Sequence, residues 1–156
     1  MARALIVGCG CRGRELGSAL AGDGWAVRGT SRGAAIAAIE AAGLEAVEAD
    51  PDSLGTITDL IADVTVLVWL MGGAADAPEL NRERLESLLE KLVDSPVRGL
   101  VYEARGSAPA EVLDAGAASV EAWGERFRTP VAVLRADPAE HEAWLAEARE
   151  AVSGVI

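Results

Sequence analysis

A glycine-rich stretch near the amino terminus is the part of the sequence best suited to binding a ligand. Gly8, Gly10 and Gly13 stand in "VGCGCRGREL", directly after the apolar run "ALIV" and before helix-forming residues. At such a junction the first glycine allows a sharp bend, the second leaves room for a phosphate, and the third lets the helix approach the strand. Cys11 and Arg12 lie at the helix start, where free N–H groups favour an anion. A glycine-rich turn that binds nothing is the competing interpretation.

A second group of candidate ligand contacts lies in "VRGTSRG", at the end of the next apolar run. NAD sites usually place an acid here to bond the ribose hydroxyls, and this segment has none. Arg32 is the predicted clamp for a 2′-phosphate, because a guanidinium stays charged and binds phosphate through paired hydrogen bonds. Ser31 and Thr30 add hydroxyls, and Arg12 is placed to help. The pattern favours NADP(H) over NAD(H) and argues against S-adenosylmethionine, with solvated arginines as the alternative.

Composition sets the class of protein in which these residues operate. The chain has 156 residues, 51% of them hydrophobic, with a mean hydropathy of +0.22. This predicts one domain over residues 1–156, without a large separate substrate domain. The net charge of −11 argues against nucleic-acid and membrane-surface partners. With no secretory signal or membrane span in the sequence, the protein is expected to be cytoplasmic. Cys9 and Cys11 are expected to be reduced thiols, and no metal site is expected.

The elements that must position these side chains alternate between apolar runs and amphipathic segments, with a period near 25 residues. This rhythm predicts an α/β fold with a doubly wound, mainly parallel Rossmann sheet of six strands in the order 3-2-1-4-5-6 and helices on both faces. The predicted helices carry apolar stripes, among them Val120, Trp123 and Phe127. The predicted strands span Arg3 to Val7, Trp25 to Thr30, Glu45 to Glu48, Val64 to Met71, Val97 to Glu103 and Val131 to Ala136.

The segment "IVGCGCRGRELGSALAGDGWAVRGTSR" resembles the start of the extended or atypical short-chain dehydrogenases, the NAD-dependent epimerase and dehydratase relatives. The resemblance continues through "GLEAVEADPDSL" and "ADVTVLVWLMGGA". It implies that Asp50 bonds the adenine amino group, although an acid before a helix is also a common cap. It further implies that Leu70, Met71 and Gly72 lie under the cofactor. In these terms the chain looks like the nucleotide-binding domain alone.

The sequence departs from that family at the acid/base groups. The family uses a tyrosine with a lysine four residues later, whereas the tyrosine here, Tyr102, is followed at that spacing by a glycine and the lysine is Lys91. Glu103 and Arg105 flank the end of the fifth predicted strand and are weak candidates for substrate contact or proton transfer, with a rim ion pair as the alternative. Trp69 approaches the same edge and could line a cleft.

Three functions therefore stay open. The favoured one is a dinucleotide-binding or sensing module without the family's usual chemistry. The second is an NADP-dependent oxidoreductase or epimerase with a non-standard active site, and the third is an interaction protein that has lost the ligand. The family resemblance also implies a homodimer through the helices that carry Leu85, Leu88, Leu89 and Leu92 or Val112, Leu113 and Val120, although each stripe could face its own sheet. An unidentified protein partner could supply missing groups.

Overall fold

Six apolar runs form one parallel sheet in the computed structural model, which describes residues 2–156. The strand order is β3-β2-β1-β4-β5-β6, and every neighbouring pair is parallel. The predicted doubly wound topology is thus confirmed. The strands are β1 (Arg3–Val7), β2 (Ala26–Ser31), β3 (Glu45–Glu48), β4 (Val66–Trp69), β5 (Gly99–Glu103) and β6 (Val131–Leu134).

Six helices cover the two faces of the sheet. They are α1 (Cys11–Gly22), α2 (Ile36–Ala41), α3 (Gly55–Thr58), α4 (Glu83–Leu92), α5 (Ala110–Phe127) and α6 (His141–Gly154), and a 3-10 turn at Pro78–Asn81 precedes α4. Side chains of α1, α2 and α6 belong to one apolar cluster, and those of α3, α4 and α5 belong to the other. Because both faces are covered, the central strands β4 and β5 are buried along their whole length.

Two central strands are shorter than the sequence predicts. Val64 lies in a turn, since its N–H donates to the carbonyl of Ile61, so β4 begins at Val66. At the other end the carbonyl of Met71 accepts the side-chain amide of Asn81 rather than a strand partner. Val97 is likewise buried outside the sheet ladder, and the exposed Arg98 follows it, so β5 begins at Gly99 and not at Val97. An apolar run in the sequence indicates burial, and residues stay buried beyond the last hydrogen bond of the sheet. The apolar run is therefore longer than the strand.

The leucine stripe of α4 packs on the sheet of its own chain. Leu85, Leu88, Leu89 and Leu92 are all buried in the cluster beneath α4 and α5, together with Val120 of α5. Val112 and Leu113 of α5 are also buried. These stripes are therefore not available to a second copy, and the homodimer stays a prediction that needs other residues. Phe127, predicted to be core, is 40% exposed because α5 ends there, with Arg128 in the left-handed region.

None of the helices in residues 2–156 has the length and apolarity needed to cross a bilayer.

Candidate functional site

A cleft of about 600 Å³ opens at the carboxyl edge of the sheet, where β1 ends beside β4. In a doubly wound sheet this is the point at which the strand order reverses and ligands bind. The loops that follow β1, β2, β3 and β4 line the cleft. The predicted contacts that it brings together are Gly8, Gly10, Cys11, Arg12, Gly13, Thr30, Ser31, Arg32, Asp50, Leu70 and Met71.

The glycine turn has two positions that the fold itself requires. Gly8 has a φ of +86°, and a Cβ there would overlap the Met71 side chain and lie 2.6 Å from the carbonyl oxygen of Leu70. At Gly13, a Cβ would lie 3.2 Å from the carbonyl oxygen of Gly8 and from a methyl group of Ile6. The first glycine therefore makes the bend, and the third brings α1 against β1. Both roles agree with the motif as the sequence presents it.

Gly10 is different, because neither the backbone nor the packing requires a glycine there. Its φ is −80°, which any residue adopts, and within the described chain a Cβ would meet no atom within 4 Å. Gly10 is exposed and lines the cleft. The space that it leaves open belongs to the cleft, which fits a group that approaches the main chain closely, such as a phosphate.

Main-chain N–H groups face this space from the start of α1. The first hydrogen bond of the helix runs from the N–H of Arg14 to the carbonyl of Gly10, so the N–H groups of Cys11, Arg12 and Gly13 come before it. Gly10 provides no side-chain cap for them. Together with the helix dipole they form a site that favours negative charge, worth about 0.3–2 kcal/mol for the dipole.

The end of β2 places a hydroxyl and a guanidinium at the edge of the cleft. Ser31 Oγ accepts the N–H groups of Gly33 and Ala35 at 3.1 and 3.0 Å, which fixes the turn and leaves its hydroxyl proton free to donate. Arg32 is exposed and makes no side-chain hydrogen bond or ion pair with any residue from 2 to 156. The Thr30 hydroxyl is buried and receives a long hydrogen bond of 3.4 Å from the N–H of Gly8. Ser31 and Arg32 are thus the groups that can meet a ligand.

Asp50 lies at the cleft with one carboxylate oxygen in use. Its Oδ1 accepts the N–H of Asp52 at 2.9 Å, and its main chain is tied to the hydroxyl of Thr56. The side chain therefore caps the turn after β3, as the alternative interpretation expects, while the second oxygen stays able to accept a hydrogen bond. The adenine contact remains a prediction.

Arg12 does not lie beside Arg32, which corrects the expectation that both would hold one phosphate. Its Nη2 bonds both carboxylate oxygens of Glu103, at 2.9 and 2.8 Å, at the end of β5. The ends of β5 and β2 are three strand spacings apart, about 14 Å across the sheet, so this ion pair holds the Arg12 guanidinium toward the β5 side. The Arg12 guanidinium also lies over the ring of Trp144, 5.6 Å from its centre.

Glu103 and Arg105, the weak candidates for substrate contact or proton transfer, each bond to another residue of the chain. Glu103 is 1% exposed and accepts the N–H of Gly72 at 2.9 Å in addition to Arg12. Arg105 is exposed and pairs with Asp137 at 3.3 Å, which is the rim ion pair of the alternative interpretation. Gly72, expected beneath a cofactor, is buried against Glu103 instead and does not line the cleft.

The remaining aromatic candidates are also committed to the core. The hydroxyl of Tyr102 donates to Asn81 Oδ1 at 3.0 Å, and the amide of Asn81 donates to the carbonyl of Met71. Burial, with a smaller contribution from Glu103, raises the pKa of Tyr102. Trp69 is fully buried in the cluster under α4 and lines no cleft, contrary to the suggestion from its position.

The sequence did not predict that the loop after β4 lines the cleft. Gly73 to Ala77, Glu79 and Leu80 line the cleft, so Asp76 and Glu79 face it, and Asp52 faces it from the turn after β3. These carboxylates oppose phosphates on that side, so an anionic group fits only at the corner formed by the glycine turn and Arg32. The glycine, alanine and proline content of "GGAADAP" was the available signal for this loop.

The two cysteines differ in environment. Cys9 is buried against Gly29, and burial raises its pKa to about 11, with Arg14 opposing the change. Cys11 is exposed, and its sulfur accepts a hydrogen bond from Arg14 at 3.3 Å. Neither forms a disulfide, and the described residues contain no cluster of His, Cys, Asp and Glu suited to a metal ion.

No family model and no curated protein sequence matches the chain. Solved structures do match. UDP-glucose 4-epimerase from Brucella ovis, in complex with NAD, superposes with a TM-score of 0.72 at 13% identity, over 86% of this chain and 51% of that one. The Thermus thermophilus UDP-glucose 4-epimerase complex with NAD gives 0.71 at 16% identity, over 85% and 54%. BdcA from E. coli gives 0.71 at 17% identity, over 93% and 87%.

The chain shares the fold of these proteins. The expected resemblance to the epimerase, dehydratase and short-chain dehydrogenase structures is confirmed at this level. The chain spans about half the length of the epimerase structures that it matches. At 13–17% identity the likeness carries the architecture, and the role of the cleft depends on the residues that line it.

Proposed function

We propose that this chain is a nucleotide-binding module that holds NADP(H) through the 2′-phosphate of its adenosine and lacks the acid/base chemistry usual in this fold. The observation that carries the proposal is the guanidinium of Arg32 at the end of β2. It is exposed and makes no hydrogen bond or ion pair with any residue from 2 to 156, and the neighbouring residue in the chain, Ser31, has a hydroxyl that can donate. The 5′-diphosphate would meet the N–H groups at the start of α1.

The state of the other polar groups supports binding rather than proton transfer. Tyr102 is buried and bonded to Asn81, and Glu103 is bonded to Arg12 and to a main-chain N–H. Arg105 is paired with Asp137 away from the cleft. Each of these groups would have to leave an existing partner before it could act on a substrate.

One nearby carboxylate favours a competing specificity. Glu48 ends β3, and a methyl group built on Gly33 would lie 3.6 Å from its Oε1. A carboxylate in that position can accept ribose hydroxyls and so favour NAD(H), the cofactor in the matching Brucella and Thermus structures. Arg32 and Glu48 therefore make opposite predictions, and substitution of each one separates them.

The test measures the affinities of NADP⁺, NADPH, NAD⁺ and NADH by calorimetry and by the rise in melting temperature, which follows ligand affinity. The phosphorylated pair should bind more tightly. Arg32→Ala should weaken NADPH by about 10- to 100-fold, the worth of a charge-assisted pair, and should change NADH by less than about threefold. Arg98→Ala is the matched control, since Arg98 is exposed at the opposite edge of the sheet.

Glu48→Gln distinguishes the two specificities. Under the proposal it removes a charge that repels the 2′-phosphate, so NADPH should bind more tightly. Under the alternative it replaces one of the two carboxylate oxygens that accept the ribose hydroxyls with an amide donor and removes the charge, so NADH should bind more weakly. Steady oxidation of NADPH with carbonyl or sugar-nucleotide substrates would favour an oxidoreductase or epimerase, and no heat with any of the four dinucleotides would favour an interaction protein without a ligand.

A further inference from the structure

The carboxyl edge of the sheet carries two hollows that share no lining residue. The cleft borders the loops after β1 to β4, and its lining runs no further along the chain than Leu80. Within residues 2–156 no side chain of β5, α5 or β6 reaches it. A second hollow of about 350 Å³ lies at the end of β5 and is lined by the loop from Ala104 to Ala108, the start of α5 and Arg135.

A wall of buried contacts separates the two hollows. Glu103 and Gly72 line neither of them. Glu103 accepts Arg12 from the start of α1 and the N–H of Gly72 from the loop after β4. The loop after β5 rests directly on that loop, since the N–H of Ala108 donates to the carbonyl of Gly72 at 2.9 Å and a Cβ on Gly106 would overlap the Gly72 backbone.

The wall is built from main chain and a buried ion pair, and a ligand would not displace it easily. The N–H of Gly72 is bonded to Glu103 at the end of β5, its carbonyl is bonded to Ala108 in the loop that follows, and Glu103 is 1% exposed. The Arg12 guanidinium is held between Glu103 and the face of Trp144. A ligand that separated Arg12 from Glu103 would leave the buried Glu103 carboxylate without its partner, which is strongly unfavourable.

A doubly wound sheet ordinarily binds a dinucleotide across the switch point, with one mononucleotide on each half. Here the β1-β2-β3 half offers the glycine turn, Ser31 and Arg32, whereas the hollow at the end of β5 on the other half is separated from the cleft by these buried contacts. We infer that the cleft recognises the adenosine 2′-phosphate 5′-diphosphate end of its ligand and leaves the second nucleoside outside. This inference rests on the proposed function and narrows it.

The ligand class that follows is any 2′-phosphorylated adenosine diphosphate, with or without a nicotinamide. The protein would then respond to the total amount of NADP⁺, NADPH and 2′-phospho-ADP-ribose, and not to the ratio of oxidised to reduced cofactor. A nicotinamide held outside the cleft has no group positioned to receive or give its hydride, which agrees with a binding module.

The test uses the wild-type chain, so it does not depend on whether a variant folds. Calorimetry gives the dissociation constants of NADPH, NADP⁺ and 2′-phospho-ADP-ribose, which we expect to agree within fivefold. In saturation-transfer NMR of bound NADPH, the adenine protons should receive at least five times the saturation of the nicotinamide protons. A dissociation constant more than fivefold lower for NADPH or NADP⁺ than for 2′-phospho-ADP-ribose, or equal saturation of the two rings, would overturn the inference.

Failure of the proposed function is distinguishable from failure of this inference. If the unphosphorylated pair binds more tightly, the 2′-phosphate specificity is wrong, and the ratio of the dissociation constants of NADH and ADP-ribose still decides whether the second nucleoside is bound. If no nucleotide binds at millimolar concentration, both are wrong.

Discussion

The ion pair between Arg12 and Glu103 gives the sharpest test of the structure, because its two partners differ in burial. The Glu103 side chain is 1% exposed and that of Arg12 is 29% exposed. Removing the positive charge strands a buried carboxylate, whereas removing the negative charge leaves a guanidinium that reaches water. We therefore predict that Arg12→Met destabilises the fold more than Glu103→Gln does, although Arg12 is the more exposed residue.

The magnitudes follow from the contacts. Arg12→Met replaces the guanidinium that lies over Trp144 with an apolar group and leaves Glu103 with the N–H of Gly72 as its remaining donor. Breaking a buried pair in this way costs about 3–5 kcal/mol. Glu103→Gln keeps an oxygen that can accept the N–H of Gly72 and Arg12, and it replaces the second oxygen, which accepts Arg12, with an amide group that cannot accept; this costs about 1–2 kcal/mol. The double variant, with neither charge, should be more stable than Arg12→Met alone.

Urea unfolding followed by circular dichroism measures these costs. With a slope of about 2 kcal/mol per molar urea, Arg12→Met should shift the midpoint by about 2 M and Glu103→Gln by at most about 1 M. Equal shifts, or a larger shift for Glu103→Gln, would refute the reasoning that burial of the stranded charge sets the cost. Arg98→Ala, at an exposed site on the far edge of the sheet, should stay within about 0.5 kcal/mol of wild type.

Three further sets of variants have expected results. Gly10→Ala should leave the urea midpoint almost unchanged and should weaken nucleotide binding in calorimetry. Gly8→Ala should instead lower the free energy of unfolding by about 2 kcal/mol or more, because of the positive φ of Gly8 and the overlap with Met71. Tyr102→Phe should cost about 1–3 kcal/mol by stranding the buried Oδ1 of Asn81. Burial raises the pKa of Cys9 from 9.0 to about 11, so the thiol of the unfolded chain ionises at lower pH than that of the folded chain. The free energy of unfolding should therefore fall by up to about 3 kcal/mol between pH 9 and 11, and it should fall less in Cys9→Ala.

The architecture was predictable because each of its determinants is local in sequence. A four-residue strand such as β4 is apolar at every position, since helices cover both faces, and the glycine turn marks where the first such strand passes into a helix. Parallel strands all end at one edge, so the order of the chain brings Gly10, Arg32 and Asp50 to the same cleft. The signal is contained in segments of about ten residues.

The partner of Arg12 was not predictable in that way. Its position before Gly13 suggests a phosphate contact, but the side chain bonds an acid 91 residues later in the chain. Glu103 ends a strand that is buried along its length, so the carboxylate must find a donor within the fold, and the start of α1 offers one two strands away. The same pairing moves Gly72 from the cleft into the wall. A local motif does not show whether a side chain bonds to another residue of the chain or to a ligand.

That choice also fixes where a ligand phosphate can bind. In the described chain, the basic side chains that line the cleft are Arg12 and Arg32, and Arg12 is neutralised by Glu103. The acids Asp76 and Glu79 line the cleft from the loop after β4, and the net charge of the whole chain is −11. The attraction of a 2′-phosphate therefore depends on one exposed guanidinium, which salt screens over about 8–10 Å. NADPH affinity should fall between 50 and 500 mM NaCl, and in Arg32→Ala this dependence should largely disappear.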